Sequence, residues 1–200
     1  MRLLDNFHSS HVHSRRSKVL SMHLANIIPS GFRVLDVGSG DGLLDKLVLE
    51  VRPDITINGI DVVTRSRAYI PTDTYNGVVF PYSDGSYDAI ILVDVLHHTT
   101  NPTIVLREAK RVARSTIIIK DHLADAFLAR QTLRLMDHVG NARYGVSLPY
   151  NYWSKAQWLS TFNTLGLKVT DWKTKLHLYP FPTNWVFDRS LHFITRLDIV

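Results

Sequence analysis

The chain has 200 residues, 45% of them hydrophobic and 20% charged, so about 90 apolar side chains are available and a mainly disordered protein is excluded. Lysine and arginine total 23 against 18 acidic residues, a formal charge of +5, which permits an acidic partner and is too mild to diagnose nucleic-acid binding. Zero cysteines exclude disulfides, thiolate nucleophiles and cysteine-built metal sites, and agree with a reducing compartment.

The opening MRLLDNFHSSHVHSRRSK interrupts its apolar residues with charge at once, so neither a signal peptide nor a spanning helix is expected and the reading is cytoplasmic. Residues 1–16 read as a polar arm, and Val19, Leu20, Leu24, Ile27 and Ile28 as an amphipathic helix stopped at Pro29-Ser30-Gly31. Phe32 to Val37 is a short β-rich run ending at a glycine cluster, followed by a helical stripe of Leu43, Leu44, Leu47 and Val48. Ile55 to Asp61 predicts a second strand and Gly77-Val78-Val79 a short third one. Tyr87 to Val93 is apolar on both faces, as a central parallel strand is. Pro102 opens a helix, and Ser115 to Lys120 is another buried strand. This alternation argues for βαβ units and an open parallel sheet.

After Lys120 the rhythm changes. Ala124 to Met136 suggests a long helix, Gly140 to Tyr152 a tyrosine-rich loop, and Ser154 the N-cap of a helix that Gly166 ends. Val169–Trp172 and Leu176–Tyr179 read as a closing strand pair, with the last 18 residues left open. The expected organisation is a single domain: N-terminal arm and helix 1–30, cofactor core 31–120, helical insertion or lid 121–165, and closing segment 166–200.

Val37-Gly38-Ser39-Gly40-Asp41-Gly42 sets three glycines at alternate positions between a strand and a helix. Glycines there let the backbone turn sharply and a ligand approach the main chain. Dinucleotide folds use G-x-G-x-x-G, with a pyrophosphate at the helix N-terminus. Here the spacing is G-x-G-x-G, with Asp36 ahead of it and Asp41 within it; two carboxylates would repel a diphosphate and tolerate a cationic ligand.

With these motifs the chain resembles the class I S-adenosylmethionine-dependent methyltransferases, and among them the type 11 group of mostly small-molecule enzymes, from about Phe32 to Lys120. The resemblance implies a Rossmann-like α/β fold, a mostly parallel seven-stranded sheet with helices on both faces. It implies S-adenosylmethionine as cofactor, held by Asp36, Gly38, Ser39, Gly40 and Gly42, with Asp61 at the end of strand two taking the ribose hydroxyls and Val62 beside it in the cofactor set. Phe80-Pro81-Tyr82-Ser83-Asp84-Gly85-Ser86-Tyr87-Asp88 resembles the family segment before strand four. Five residues before its proline the family commonly has an adenine-binding Asp; here Asn76 stands, with Gly77 beside it. Val93-Asp94-Val95-Leu96-His97-His98 resembles the strand-four exit, which adds Asp94 to the cofactor set. Two departures are a missing Lys-Pro-Gly-Gly-type turn before strand five and the absence of an N-P-P-Y or D-P-P-Y signature, which counts against base N-methylation.

Methyl transfer from a sulfonium needs alignment of donor and acceptor and, for a hydroxyl acceptor, a base. The candidates are His97 and His98 after strand four and Asp121 and His122 after strand five. Bland alternatives are a helix cap, and a solvated strand end for Lys120-Asp121-His122. Tyr144, Tyr150 and Tyr152 are candidates for lining an acceptor pocket or fastening a loop. Arg107, Lys110, Arg111 and Arg114 read as a solvated basic face. No metal is expected: His8, His11 and His13 lie in an arm whose sole carboxylate is Asp5. The expected function is methylation of a small molecule at oxygen or carbon. The alternatives are RNA methylation, disfavoured as a partner class, and an inactive cofactor-binding subunit; oligomeric state stays open.

Overall fold

The computed structural model describes residues 2–63, 65–141 and 149–200, with side chains from residue 15 onward except at 139–141. Seven strands, β1 (Arg33–Val37), β2 (Thr56–Asp61), β3 (Thr72–Thr74), β4 (Tyr87–Val93), β5 (Ala113–His122), β6 (Leu167–Lys173) and β7 (His192–Ile199), form one sheet in the order β3-β2-β1-β4-β5-β7-β6. The first five are parallel, as the alternation predicts. β7 inserts antiparallel between β5 and β6, so the sheet is mixed.

The helices are α1 (Arg2–Ile27), α2 (Leu43–Val51), α3 (Pro102–Val112), α4 (Ala129–Asn141), α5 (Lys155–Thr164) and the single turn α6 (Asn184–Phe187). Asn101 caps α3 by accepting from Thr103 N, with Pro102 in the first turn where its missing N–H costs nothing. Ser154 and Gln157 form a reciprocal capping box on α5, and Gly166, at φ 64°, turns the chain out of it.

Side-chain alternation divides the core in two. Leu35, Val37, Ile90, Leu92, Ile117 and Ile119 join a cluster with α3 and α5 residues such as Leu106 and Trp158. Val34, Ala89, Ile91 and Ile118 join another with Leu24 of α1 and Val48 of α2. β1, β4 and β5 are thus buried on both faces, which is why Ala89 to Val93 and Ile117 to Ile119 read as unbroken apolar runs.

Several expectations are corrected. Of the stretch read as a polar arm, residues 2–16 belong to α1, which runs as one helix into the apolar stretch from Val19. The third strand is Thr72–Thr74 rather than Gly77-Val78-Val79, because the Asn76 amide oxygen accepts from Val78 N and Val79 N and folds that segment into a turn. Leu176–Tyr179 is not a strand; the partner of β6 is β7, in the tail left open by the sequence reading. The basic face of α3 is not simply solvated: Arg111 bonds Glu108, Asp84 and the carbonyls of Tyr82 and Phe80, and Lys110 donates to Leu165 O at 2.7 Å. Among the described residues no helix is long and apolar enough to cross a membrane.

Candidate functional site

The strand order reverses between β1 and β4, and a crevice outside the carboxyl ends of the strands is where open α/β sheets bind ligands. A cavity of about 1220 Å³ opens there. Gly38 after β1, Asp61 at the end of β2, Asp94 after β4 and His122 at the end of β5 all line it.

The glycine loop forms one end. Gly38 has φ 75° and an added Cβ would lie 2.6 Å from Val95 Cγ2, so the turn needs glycine twice over. Gly40, at φ 61°, has open space where its Cβ would be and faces the cavity. Asp61 accepts from Gly40 N at 2.8 Å on one oxygen and from Val63 N at 2.9 Å on the other, which leaves lone pairs on both for a pair of hydroxyls. Val62, Gly77 and Val78 continue the wall, and Val62 and Val78 are 55% and 50% exposed, an apolar surface suited to a flat ring. An open glycine cradle, a carboxylate with spare acceptors and an apolar shelf together fit an adenosyl amino acid.

Four predicted cofactor residues are not part of the cavity wall. Asp36 is buried beside Asp45, and burial together with that neighbour pushes its pKa well above the ordinary carboxylate value. Gly42 packs on Ile70 and Ser39 on Gly59. The Asn76 oxygen expected to meet adenine already accepts from two backbone N–H groups.

The other end of the cavity carries an ionisable cluster. Asp94, at φ 55°, receives Lys120 Nζ at 2.5 Å and the Arg16 guanidinium from α1. Burial opposes its charge, and Lys120 and Arg16 outweigh that and hold it well below the ordinary range. His97 lies in a 3-10 turn (Leu96–His98), with Nδ1 2.7 Å from Asp121 Oδ1. Asp121 is oriented in turn by Leu96 N at 3.1 Å and by its neighbour His122 N at 2.7 Å. Burial disfavours the His97 cation, but Asp121 and then Asp137 raise its pKa overall. Burial and then His97 push His98 down to about 4, and burial, His97 and Lys120 lower His122. Asp121 and His122 are buried, so the solvated strand end is corrected: β5 is covered by β7 and α5, and Trp158 Nε1 donates to His122 O at 3.1 Å.

His97, His98 and His122 line the cavity, while Asp121 reaches it through His97. Neither Tyr150 nor Tyr152 is in the wall. Tyr152 is buried with its hydroxyl donating to Asp137, and Tyr150 packs against it and under Arg134; both fasten the segment. Tyr144 lies outside the described residues. Sequence reasoning missed Arg16, Lys120, Asp137 and Tyr179. Lys120 and Tyr179 sat inside runs read as strands, and Arg16 and Asp137 in segments with no motif; no local signal marks them.

The family model described as methyltransferase domain matches residues 10–171. The chain belongs to the class I S-adenosylmethionine-dependent methyltransferases. This methyltransferase is 32% identical over 111 residues to 27-O-demethylrifamycin SV methyltransferase of Amycolatopsis mediterranei, a match covering 48% of the chain and 40% of that relative's length. Among solved structures, geranyl diphosphate methyltransferase in complex with GPP and sinefungin superposes with a TM-score of 0.65 at 11% identity, over 90% of this methyltransferase and 77% of that chain. The [4+2]-cyclase SpnF superposes with a TM-score of 0.66 at 16% identity, over 91% and 80%. At such identities the likeness speaks for the fold of this methyltransferase alone.

Proposed function

We propose that this methyltransferase acts on a small molecule, at an oxygen or a carbon. S-adenosylmethionine would lie at the glycine-loop end of the cavity, against Gly38, Gly40, Asp61, Val62, Gly77 and Asp94. The observation that carries the reading is that this end and the histidine cluster share one cavity. Its volume of about 1220 Å³ exceeds the roughly 300–1,000 Å³ usual for one drug-sized ligand, which leaves room for an acceptor. Ile104, Val105, Leu135, Met136 and Phe187 make that part of the wall apolar, which suits an organic acceptor better than a polynucleotide. The relative named for 27-O-demethylrifamycin SV also has a small molecule as its named substrate.

When bound, the cofactor supplies an electrophilic methyl group on a sulfonium. The chain's own work is to align the acceptor, keep water out and handle a proton. The apolar wall excludes water. His97, His98 and His122 stand where an acceptor hydroxyl would lie, and Asp121 keeps the His97 ring in place. Asp94, Lys120 and Arg16 form a charge triad beside His122.

The test is calorimetry with S-adenosylhomocysteine on the wild-type protein and Asp61→Ala, followed by incubation with methyl-labelled cofactor and either a fractionated metabolite extract or total RNA. Saturable binding weakened in Asp61→Ala, with label entering the metabolite fraction, is expected. Label in RNA alone, or no binding at millimolar ligand, would overturn the reading.

A further inference from the structure

We propose that His97, His98 and Asp137 form a binding site for a divalent first-row metal of the zinc type, with an open coordination position facing the cavity. One potential ligand atom from each lies within 4.8 Å of the other two, and all three residues line the cavity. His97 is 1% exposed, yet its Nε2 has no hydrogen-bond partner, and neither has the buried Nδ1 of His98. Two orphaned imidazole nitrogens side by side are costly unless something accepts their lone pairs. Nε2 of His97 stands 3.6 Å from Asp137 Oδ2, too far for a hydrogen bond. Zinc bonds of roughly 2.0–2.2 Å to nitrogen and oxygen span that separation at an angle of about 120°.

The surroundings are built as metal sites are. A ligating histidine gives its other ring N–H to a carboxylate, which fixes the tautomer and raises ligand basicity. Here Nδ1 of His97 lies 2.7 Å from Asp121, and two backbone N–H groups hold that carboxylate. Asp137 is held in the same way by the buried Tyr152 hydroxyl. Two imidazoles and one carboxylate with a free position match a catalytic zinc donor set.

A second grouping, Asp94, His97, Asp121 and His122, also lies within ligand reach. It is the poorer site, because Lys120 and Arg16 already neutralise Asp94 and would repel a dication. A cation on the first grouping would take an acceptor oxygen and lower the pKa of its hydroxyl, whose proton would pass to His122, the imidazole left unligated. That use rests on the proposed methyl transfer; occupancy of the site does not.

The test is titration of untagged, chelator-treated protein with Co²⁺ alone, read by its visible absorption, and with Zn²⁺ as competitor. One equivalent should bind with the intense band of four- or five-coordinate cobalt. Affinity should fall by roughly 10–100-fold or more in His98→Gln and Asp137→Asn and persist in His122→Gln, with circular dichroism confirming that each variant folds. Should a variant not fold, nitrogen-15 histidine spectra of the wild-type protein with Zn²⁺ must show two ring nitrogens moving to ligated positions. No saturable cobalt band, binding retained in both ligand variants, or loss confined to His122→Gln would overturn the site. Calorimetry with S-adenosylhomocysteine on the same samples separates the two ideas: cofactor binding without cobalt binding removes only the cation.

Discussion

Lys120 and Asp94 close the carboxyl ends of neighbouring strands β5 and β4 with an ammonium-to-carboxylate contact of 2.5 Å, and the lysine is wholly buried. Burial lowers the Lys120 pKa, and Asp94 works against that fall. Removing one partner of a buried pair strands the other charge and costs roughly 3–5 kcal/mol, whereas removing both can be neutral. Asp94→Asn is therefore expected to lower the urea midpoint steeply, and the double variant Asp94→Asn with Lys120→Met to recover part of the loss, since Arg16 still lacks its carboxylate. Equal losses in the single and double variants would contradict this.

A second prediction concerns pH. Burial raises the Asp45 carboxyl to about 7, and Asp36 beside it is raised as well. In the window between the unfolded carboxylate value and about 7, the folded state holds more protons than the unfolded state. Stability is then full below the unfolded pKa and is lost as pH rises through the folded one. This carboxyl pair favours pH 5 over pH 8, whereas His98, His122 and His192, all lowered in the fold, favour the higher pH, so the carboxyl contribution is read by difference. Asp45→Asn should shift the slope of urea midpoint against pH toward greater stability at high pH relative to the wild type; an unchanged slope would locate the effect elsewhere.

Gly40 separates binding from folding. Its Cβ position is open, so a Cβ at residue 40 meets nothing within 4 Å and Gly40→Val costs chiefly the left-handed backbone conformation, about 1–2 kcal/mol. The valine would instead fill the cradle. S-adenosylhomocysteine affinity measured by calorimetry should fall by at least roughly tenfold, about 1.4 kcal/mol, with a modest change in melting temperature. Intact binding would refute the proposed cofactor position.

Arg111 ties α3 to the segment before β4, through two acidic side chains and two carbonyls. Arg111→Met should cost roughly 1–3 kcal/mol, chiefly from the Tyr82 carbonyl and the Glu108 carboxylate losing the guanidinium donors, while Phe80 O keeps Tyr82 N. Denaturant unfolding would measure this, and a change under ~0.5 kcal/mol would mean the network is dispensable.

The parallel core was legible because burial on both faces leaves an unbroken apolar signature, as in Ala89 to Val93 and Thr116 to Ile119. At the glycine-loop end the sequence singled out Gly38, Gly40, Asp61, Val62, Gly77 and Asp94, which line the cavity, along with Asp36, Ser39, Gly42 and Asn76, which do not. The acceptor end was legible only in part. His97, His98 and His122 stood beside recognisable strand exits, but Asp137 comes from α4 and Arg16 from α1, each brought in from a segment with no motif of its own.

By itself, then, the sequence carried the motifs on which the family resemblance rests, and it determined the strand alternation, apart from the place of β3, and the glycine turn, which depend on periodicity and backbone freedom within a few residues. Tertiary structure alone decided that β7 inserts antiparallel beside β5 and that Asp137 faces His97. Those outcomes depend on which distant surfaces bury one another, and burial between remote segments leaves no local mark in the chain.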